Sequence, residues 1–249
     1  MLNLLTTTNI DIAYSDARHG FGLFETIKIR DGVPLRLDAH IKRLTAGTGF
    51  LGMDPPPYYE EVFEFLISRT NCTSLRSGVV RLMAVDRNLH VIVRSWEPSY
   101  PICIDIGLSN KITRFSRNMF TKFKTISYLD NRVMASEAES RSLYEVIALN
   151  ENGHLTDGSR TNAFFVIDGR LVTPPVTDGA LPGVVREILL DSKLACEAVV
   201  TVSDLKKVEA VALTNALHGI LVVHHLKWWK ENKLNATHPI VMDAIKLIT

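Results

Sequence analysis

Lys124 stands at the head of an apolar run, FKTISYLDNRVMASEAE, and a lysine in that company has two readings. It is a solvated charge at a helix entrance, or an amine kept for covalent chemistry. Phe123, Ile126, Tyr128 and Leu129 surround it with apolar bulk, and a desolvated ammonium gives up its proton more readily, as a lysine that adds to a carbonyl must. Lys122 is the competing amine, in the more polar setting. A second pattern lies in HLTDGSRTNAFFV, where Asp157-Gly158-Ser159 separates two strand-like segments. It reads as a turn held by side-chain-to-backbone hydrogen bonds, or as a carboxylate placed against a cationic ring nitrogen. In DGALPGVVREILL, Pro182 and Gly183 introduce a helix whose Val184 and Val185 amides have no partner inside it, which suits a phosphate, although every helix start has such groups. Arg43 in HIKRL, Arg81 in VVRLMAV and Thr214-Asn215 in LTNALHG are polar groups that fit an anion or a substrate carboxylate. Taken singly, each has a bland explanation as a solvated or rim residue.

The elements that must position these residues are legible from periodicity. GLFETIKIRDGVPL reads as a hairpin turning at Arg30-Asp31-Gly32, and Asp38 offers an N-cap for a helix through HIKRLTAGTGF. PPPYYEEVFEFLISRT opens a second helix behind its prolines. SGVVRLMAV and LHVIVRSW flank Asp86-Arg87-Asn88 as a second hairpin, followed by the alternating strand ICIDIGL. Further on come a helix over Asp130 to Leu143, two more hairpins (EVIALN with HLTD, AFFVI with RLVTP), a helix from LPGVVREILL, and buried strands in VEAVALTNALHGILVV. Mixed strand pairs and helices imply an α+β protein. The polar, aperiodic stretch SNKITRFSRNMFTK predicts a linker over 109–122, between a smaller N-terminal domain (1–108) and a larger C-terminal one (123–249).

Composition narrows the partners. Of 249 residues, 46% are hydrophobic, and 28 basic side chains nearly cancel 27 acidic ones, so no footprint for nucleic acid or an anionic membrane stands out. A small-molecule partner is expected. Cys72, Cys103 and Cys196 are odd in number and sit in segments that read as core, which points away from disulfides and fits a reducing cytoplasm. His218, His224 and His225 lack a third ligand at a usual spacing, so no metal is expected. The most apolar run, GILVV, is too short for a bilayer.

Taken in order, GFGLFETIKIRDG with HIKRL, FKTISYL, LTDGSRTNAFFV, LVTPP, LPGVVR and LTNALHG resemble the class IV pyridoxal-phosphate enzymes of fold type IV. These include branched-chain and D-amino acid aminotransferases and aminodeoxychorismate lyases. The resemblance runs from about Gly20 to Val223. It implies two domains with mixed sheets and flanking helices, pyridoxal 5'-phosphate as cofactor, and a homodimer. By the same resemblance, Lys124 is the lysine that holds the cofactor covalently and later moves the substrate's proton. Arg43, the backbone of Val184 and Val185, and Thr214 with Asn215 form the phosphate cup. Tyr128 lies near the cofactor's phenolic oxygen and Asp157 opposite its ring nitrogen. Relatives usually carry glutamate where this chain has Asp157, which is shorter by one methylene. TNALHGILVV and the shortness of the chain resemble the lyases, which places the activity in folate biosynthesis. A class IV aminotransferase, or a cofactor-binding protein with little turnover, is the alternative; the short DRN turn favours neither enzyme, since relatives of both kinds often have a longer glycine-rich loop there.

Overall fold

In the computed structural model, which describes residues 1–6, 15–101, 103–227 and 234–249, the chain divides into two units. One is Met1–Ser99 with Phe123–Tyr128, the other Tyr100–Lys122 with Leu129–Thr249. The first holds β1 (Asn3–Thr6), β2 (Leu23–Arg30), β3 (Val33–Pro34), α1 (Leu37–Leu51), α2 (Tyr59–Cys72), β4 (Ser77–Val85) and β5 (Asn88–Ser95). Its sheet has the order β1-β5-β4-β2-β3, with β1 parallel to β5 and the other pairs antiparallel. Along β2 the side chains alternate as a strand half-covered by helices requires: Leu23, Glu25, Ile27 and Ile29 are buried, while Phe24, Thr26 and Lys28 are half-exposed on the other face. Ile41 and Leu44 of α1, and Val62 and Leu66 of α2, complete the core over the buried face.

The second unit holds β6 (Asp105–Arg114), α3 (Leu129–Ser140), β7 (Glu145–Asn150), β8 (Leu155–Gly158), β9 (Asn162–Ile167), β10 (Arg170–Thr173), α4 (Val184–Asp191), β11 (Ala195–Glu197), β12 (Val208–Asn215), β13 (Gly219–Val222), β14 (His225–Leu226) and α5 (Pro239–Ile248). Seven of its strands run in the order β11-β10-β9-β8-β7-β6-β14, and β12 joins β9 and β13. Alternation along β9 feeds two cores. Ala163 and Phe165 face one; Phe164 and Val166 face the other, with Val185 and Leu189 of α4 and Val241 and Ala244 of α5. Mixed sheets with flanking helices make this the expected α+β fold. Among the described residues no helix is long and apolar enough to cross a membrane.

Three expectations need correction. The stretch 109–122 is not a linker: its first half continues β6, which pairs with β7 in the second unit's sheet. The register against β7 slips between Leu108 and Thr113, and this bulge breaks the strand period. The buried Glu137 carboxylate satisfies the bulge, accepting from Ser109 Oγ at 2.8 Å and from the Asn110 amide at 2.9 Å. Nor does Asp38 cap α1. The cap position is Arg36, in the left-handed region at φ 56°, and Asp38 lies inside the first turn, where its charge suits the helix dipole. The three cysteines are exposed, because Cys72 ends α2 and Cys196 lies on the edge strand β11.

Glu137→Ala leaves the Asn110 amide and the Ser109 hydroxyl without their acceptor, with an expected cost of about 1–3 kcal/mol in urea denaturation. A loss no larger than that of Lys111→Ala would contradict the role given to this carboxylate.

Candidate active site

In the first unit, Lys124 is set by an antiparallel bridge. Leu23 pairs with Thr125, the Phe24 amide donates to the Lys124 carbonyl at 2.9 Å, and the Ile126 amide donates to the Gly22 carbonyl at 3.0 Å. This register puts Lys124 directly opposite Phe24, so both side chains share a face. Lys124 Nζ lies 4.3 Å from the centre of the Phe24 ring and 5.2 Å from that of Tyr128. The two rings meet edge to face at 5.2 Å. Phe123, one residue earlier, points the other way and stacks on Phe50 of α1 at 4.4 Å. Lys124 is half-buried and Lys122 exposed. Gly22 makes the close approach possible: at φ 153°, a Cβ there would fall 2.7 Å from the Ala84 carbonyl and 3.0 Å from Ile126.

Arg81 reaches the same aromatic residue. It lies on the half-exposed face of the sheet, opposite Thr26, and its guanidinium stands 5.6 Å from the Phe24 ring centre. A candidate amine and a candidate carboxylate-binding cation therefore converge on one ring.

Arg43 lies on the helical face. Its Nε and Nη2 donate to Glu25 at 2.7 Å and 2.6 Å, a two-pronged pair, and His40 Nδ1 lies 2.7 Å from Glu25 Oε2. Burial pushes the Glu25 carboxyl up, but the Arg43 charge and the hydrogen bonds from His40 and Arg43 outweigh it and lower its pKa to about 2. Burial likewise pushes His40 down, against the pull of Glu25. A neutral imidazole donating from Nδ1 to an ionised Glu25 satisfies both directions. Nothing in the sequence periodicity marks Glu25 as more than an inward strand residue, and this network was not foreseen.

In the second unit a bulge sets the candidate residues. Leu149 pairs with Leu155 but Ile147 pairs with Gly158, so β8 carries one extra residue over this interval. Asp157 is thereby aligned with Asn162 of β9, and Asn162 with Thr214 of β12. The three form one row across adjacent strands, on the face where Ala212 packs beneath α4. The peptide at Leu181 is gripped from both sides: its amide donates to Asp157 Oδ2 at 3.0 Å, and its carbonyl accepts from Asn162 Nδ2 at 2.7 Å. The other oxygen of Asp157 accepts from Arg114 Nε at 3.3 Å, and Arg114 Nη1 reaches Asn131 Oδ1 at 3.4 Å.

Two residues after Leu181, Gly183 precedes α4 and no side chain caps the helix. A Cβ on Gly183 would fall 2.0 Å from Asn162 Oδ1. Thr214 Oγ1 is buried without a hydrogen-bond partner. An uncapped helix N-terminus and an unsatisfied buried hydroxyl fit a phosphate ester. Asn215 Oδ1 accepts from the Leu217 and His218 amides at 3.0 Å and 2.8 Å, shaping the turn after β12. The turn after Asp157 is built by the fully buried Glu145, whose oxygens accept from the Ser159 amide at 3.0 Å, the Arg160 amide at 3.2 Å and Thr161 Oγ1 at 3.1 Å. Burial raises the Glu145 carboxyl above its ordinary range.

Residues 22–226 match the family described as amino-transferase class IV. The chain belongs to the class IV aminotransferase family. Its members are pyridoxal-phosphate-dependent enzymes. Among its relatives, the branched-chain-amino-acid aminotransferase of Salmonella typhimurium is 31% identical over 160 residues, 64% of this chain and 45% of that enzyme. The chain thus spans less than half of that relative. The aminodeoxychorismate lyase of Bacillus subtilis is 24% identical over 202 residues, 73% of this chain and 69% of the lyase. A Legionella pneumophila structure provisionally named 4-amino-4-deoxychorismate lyase superposes with a TM-score of 0.89 at 24% identity, covering 99% of this chain and 97% of its own. The class IV enzyme described here has the fold expected from its sequence, fold type IV.

Glu25 generates a pH dependence with a definite sign. Its folded pKa of about 2 lies below the ordinary 4.5, so its stabilisation is fully present above pH 4.5 and is lost as pH falls toward 2. The expected loss is on the order of 3 kcal/mol. Glu25→Gln should flatten that part of the acid limb in denaturation measured at stepped pH; an unchanged slope would contradict the network.

Proposed function

We propose that this class IV enzyme is a 4-amino-4-deoxychorismate lyase, releasing pyruvate and p-aminobenzoate. The observation that carries the reading is the turn after β12. The asparagine of TNALHG, the feature that leans toward the lyases, is the residue whose side chain closes that turn, through the Leu217 and His218 amides. The near-complete overlap with the Legionella protein supports the same reading.

Pyridoxal phosphate, when bound, supplies the electron withdrawal that makes the carbon bearing the substrate's nitrogen acidic. In this proposal Lys124 anchors the cofactor and, once the substrate amine has displaced it, takes the proton from that carbon. The ring carbon–oxygen bond then breaks and the enolpyruvyl group leaves as its enolate; the ring becomes aromatic, the enolate takes a proton at carbon to become pyruvate, and Lys124 displaces the aromatic amine to release p-aminobenzoate. Tyr128, beside Lys124, holds the neighbouring phenolic oxygen. Arg43, the Val184 and Val185 amides, Thr214 and Asn215 hold the phosphate. Asp157 faces the ring nitrogen, and Arg81 takes a substrate carboxylate. Aromatisation supplies much of the driving force, so this reaction tolerates a shorter carboxylate than transamination does. A cytoplasmic homodimer completes the proposal.

The test is release of p-aminobenzoate and pyruvate from 4-amino-4-deoxychorismate by cofactor-loaded protein, with Lys124→Ala beside it. Product from the wild type alone is the expected result. Keto-acid formation from amino acids in place of it would establish the aminotransferase, and neither reaction would leave a binding protein. Asp157→Asn keeps the shape but removes the charge, and should lower kcat by roughly a hundredfold; a variant within twofold of wild type would remove Asp157 from its assigned role.

A further inference from the structure

Three side chains distant in sequence meet on the surface of the second unit. Cys103 Sγ lies 3.6 Å from His225 Nδ1 and 3.6 Å from Asp105 Oδ1, and His225 Nδ1 lies 2.6 Å from Asp105 Oδ1. We propose that Cys103, Asp105 and His225 form a binding site for a zinc ion, with its fourth position open to water.

The backbone builds this cluster. β14 pairs in parallel with β6, which sets His225 opposite Asp105. The His224 and Lys227 amides donate to the Ile104 and Ile106 carbonyls at 2.8 Å and 2.9 Å. His224 turns back, and its Nδ1 accepts from the Ile104 amide at 3.0 Å. Cys103 immediately precedes Ile104, so two ligands come from one strand entrance and the third from its neighbour. Ile104, Ile106 and Leu226, from the same two strands, are buried in the core.

The spacing suits a tetrahedral cation. With zinc about 2.3 Å from sulfur and about 2.0 Å from nitrogen or oxygen, tetrahedral donor-to-donor edges are about 3.3–3.6 Å. Both sulfur edges already have that length. Only the edge between His225 and Asp105 is short, because those two atoms share a hydrogen bond, and a cation that replaces the proton between them opens it. Thiolate, imidazole and carboxylate are a donor set that zinc accepts readily. Binding releases the Cys103 thiol proton, and the proton displaced from between His225 Nδ1 and Asp105 moves to His225 Nε2. Lys227 Nζ pairs with Asp105 Oδ2 at 2.8 Å, holding the carboxylate so that Oδ1 is presented to the cluster. It also sets a limit on affinity, since its charge opposes the cation. Sequence reasoning could not see this site: the histidine pair lacks a third ligand at any local spacing, and only the parallel strand pairing supplies one.

The experiment titrates zinc and cobalt into cofactor-loaded protein freed of excess pyridoxal phosphate, by calorimetry and by absorbance. The expected result is one equivalent of zinc per chain, and for cobalt the intense visible bands of a tetrahedral site with a sulfur-to-metal band in the near ultraviolet. Cys103→Ser and His225→Ala should each weaken zinc by at least the roughly 10- to 100-fold that loss of an outer-shell partner costs, and Cys103→Ser should also remove the sulfur band, with the circular dichroism spectrum retained. Cys72→Ser with Cys196→Ser should leave both unchanged. Absence of stoichiometric binding, or binding that survives Cys103→Ser with its sulfur band, would overturn the site. The titration does not depend on which reaction the enzyme catalyses.

Discussion

An extended chain shows its side chains alternately to two faces, and a slip of one residue moves every one of them to the other side. The placement of the candidate site residues rests on that constraint. The bridge between Leu23 and Thr125 decides that Lys124 shares a face with Phe24, and that Phe123 and Glu25 share the opposite one. A one-residue shift would press the ammonium against the apolar helices α1 and α2 and turn Phe123 outward. Phe123 stacked on Phe50 therefore acts as a lock on the register, and Gly22 permits the close approach that the register needs.

The second unit uses the same rule in the opposite sense. Its regular alternation would leave Asp157 on the face of Leu155, in the core beneath β12. The extra residue in β8 re-aims it into line with Asn162 and Thr214. From there the carboxylate and the Asn162 amide fix both polar groups of the Leu181 peptide, and the chain is delivered to α4 in one orientation. Gly183 has to be glycine because the arrangement leaves no room for a Cβ. Local irregularity, a buried acid under a turn and an uncapped helix are costs that folds usually bear at functional sites.

Most of the elements were legible in the sequence because their periods are clean: β2, the β4–β5 hairpin and the buried strands β9 and β12 all read directly. Lys124, Asp157 and Thr214 stood out as candidates because the motifs around them are local: Asp157 and Thr214 lie near the ends of β8 and β12, and Lys124 lies in the segment before α3. What was hidden came from partners distant along the chain. The polar stretch after Ser109 looked like a linker because its acceptor, Glu137, is supplied by a helix. Glu25 resembled any other inward strand position until His40 and Arg43 from α1 closed on it, and Arg114 was one basic residue among several. Burial of the cysteines was misjudged because a helix end and an edge strand expose residues that composition alone assigns to the core.

The proposal that Lys124 anchors the cofactor covalently can be examined without knowing the substrate. Protein treated with pyridoxal phosphate, reduced with borohydride and digested should yield, by mass spectrometry, a pyridoxyl-phosphate adduct on Lys124 at close to one per chain. Adduct on Lys122, or scattered over surface lysines in both wild type and Lys124→Ala, would contradict it.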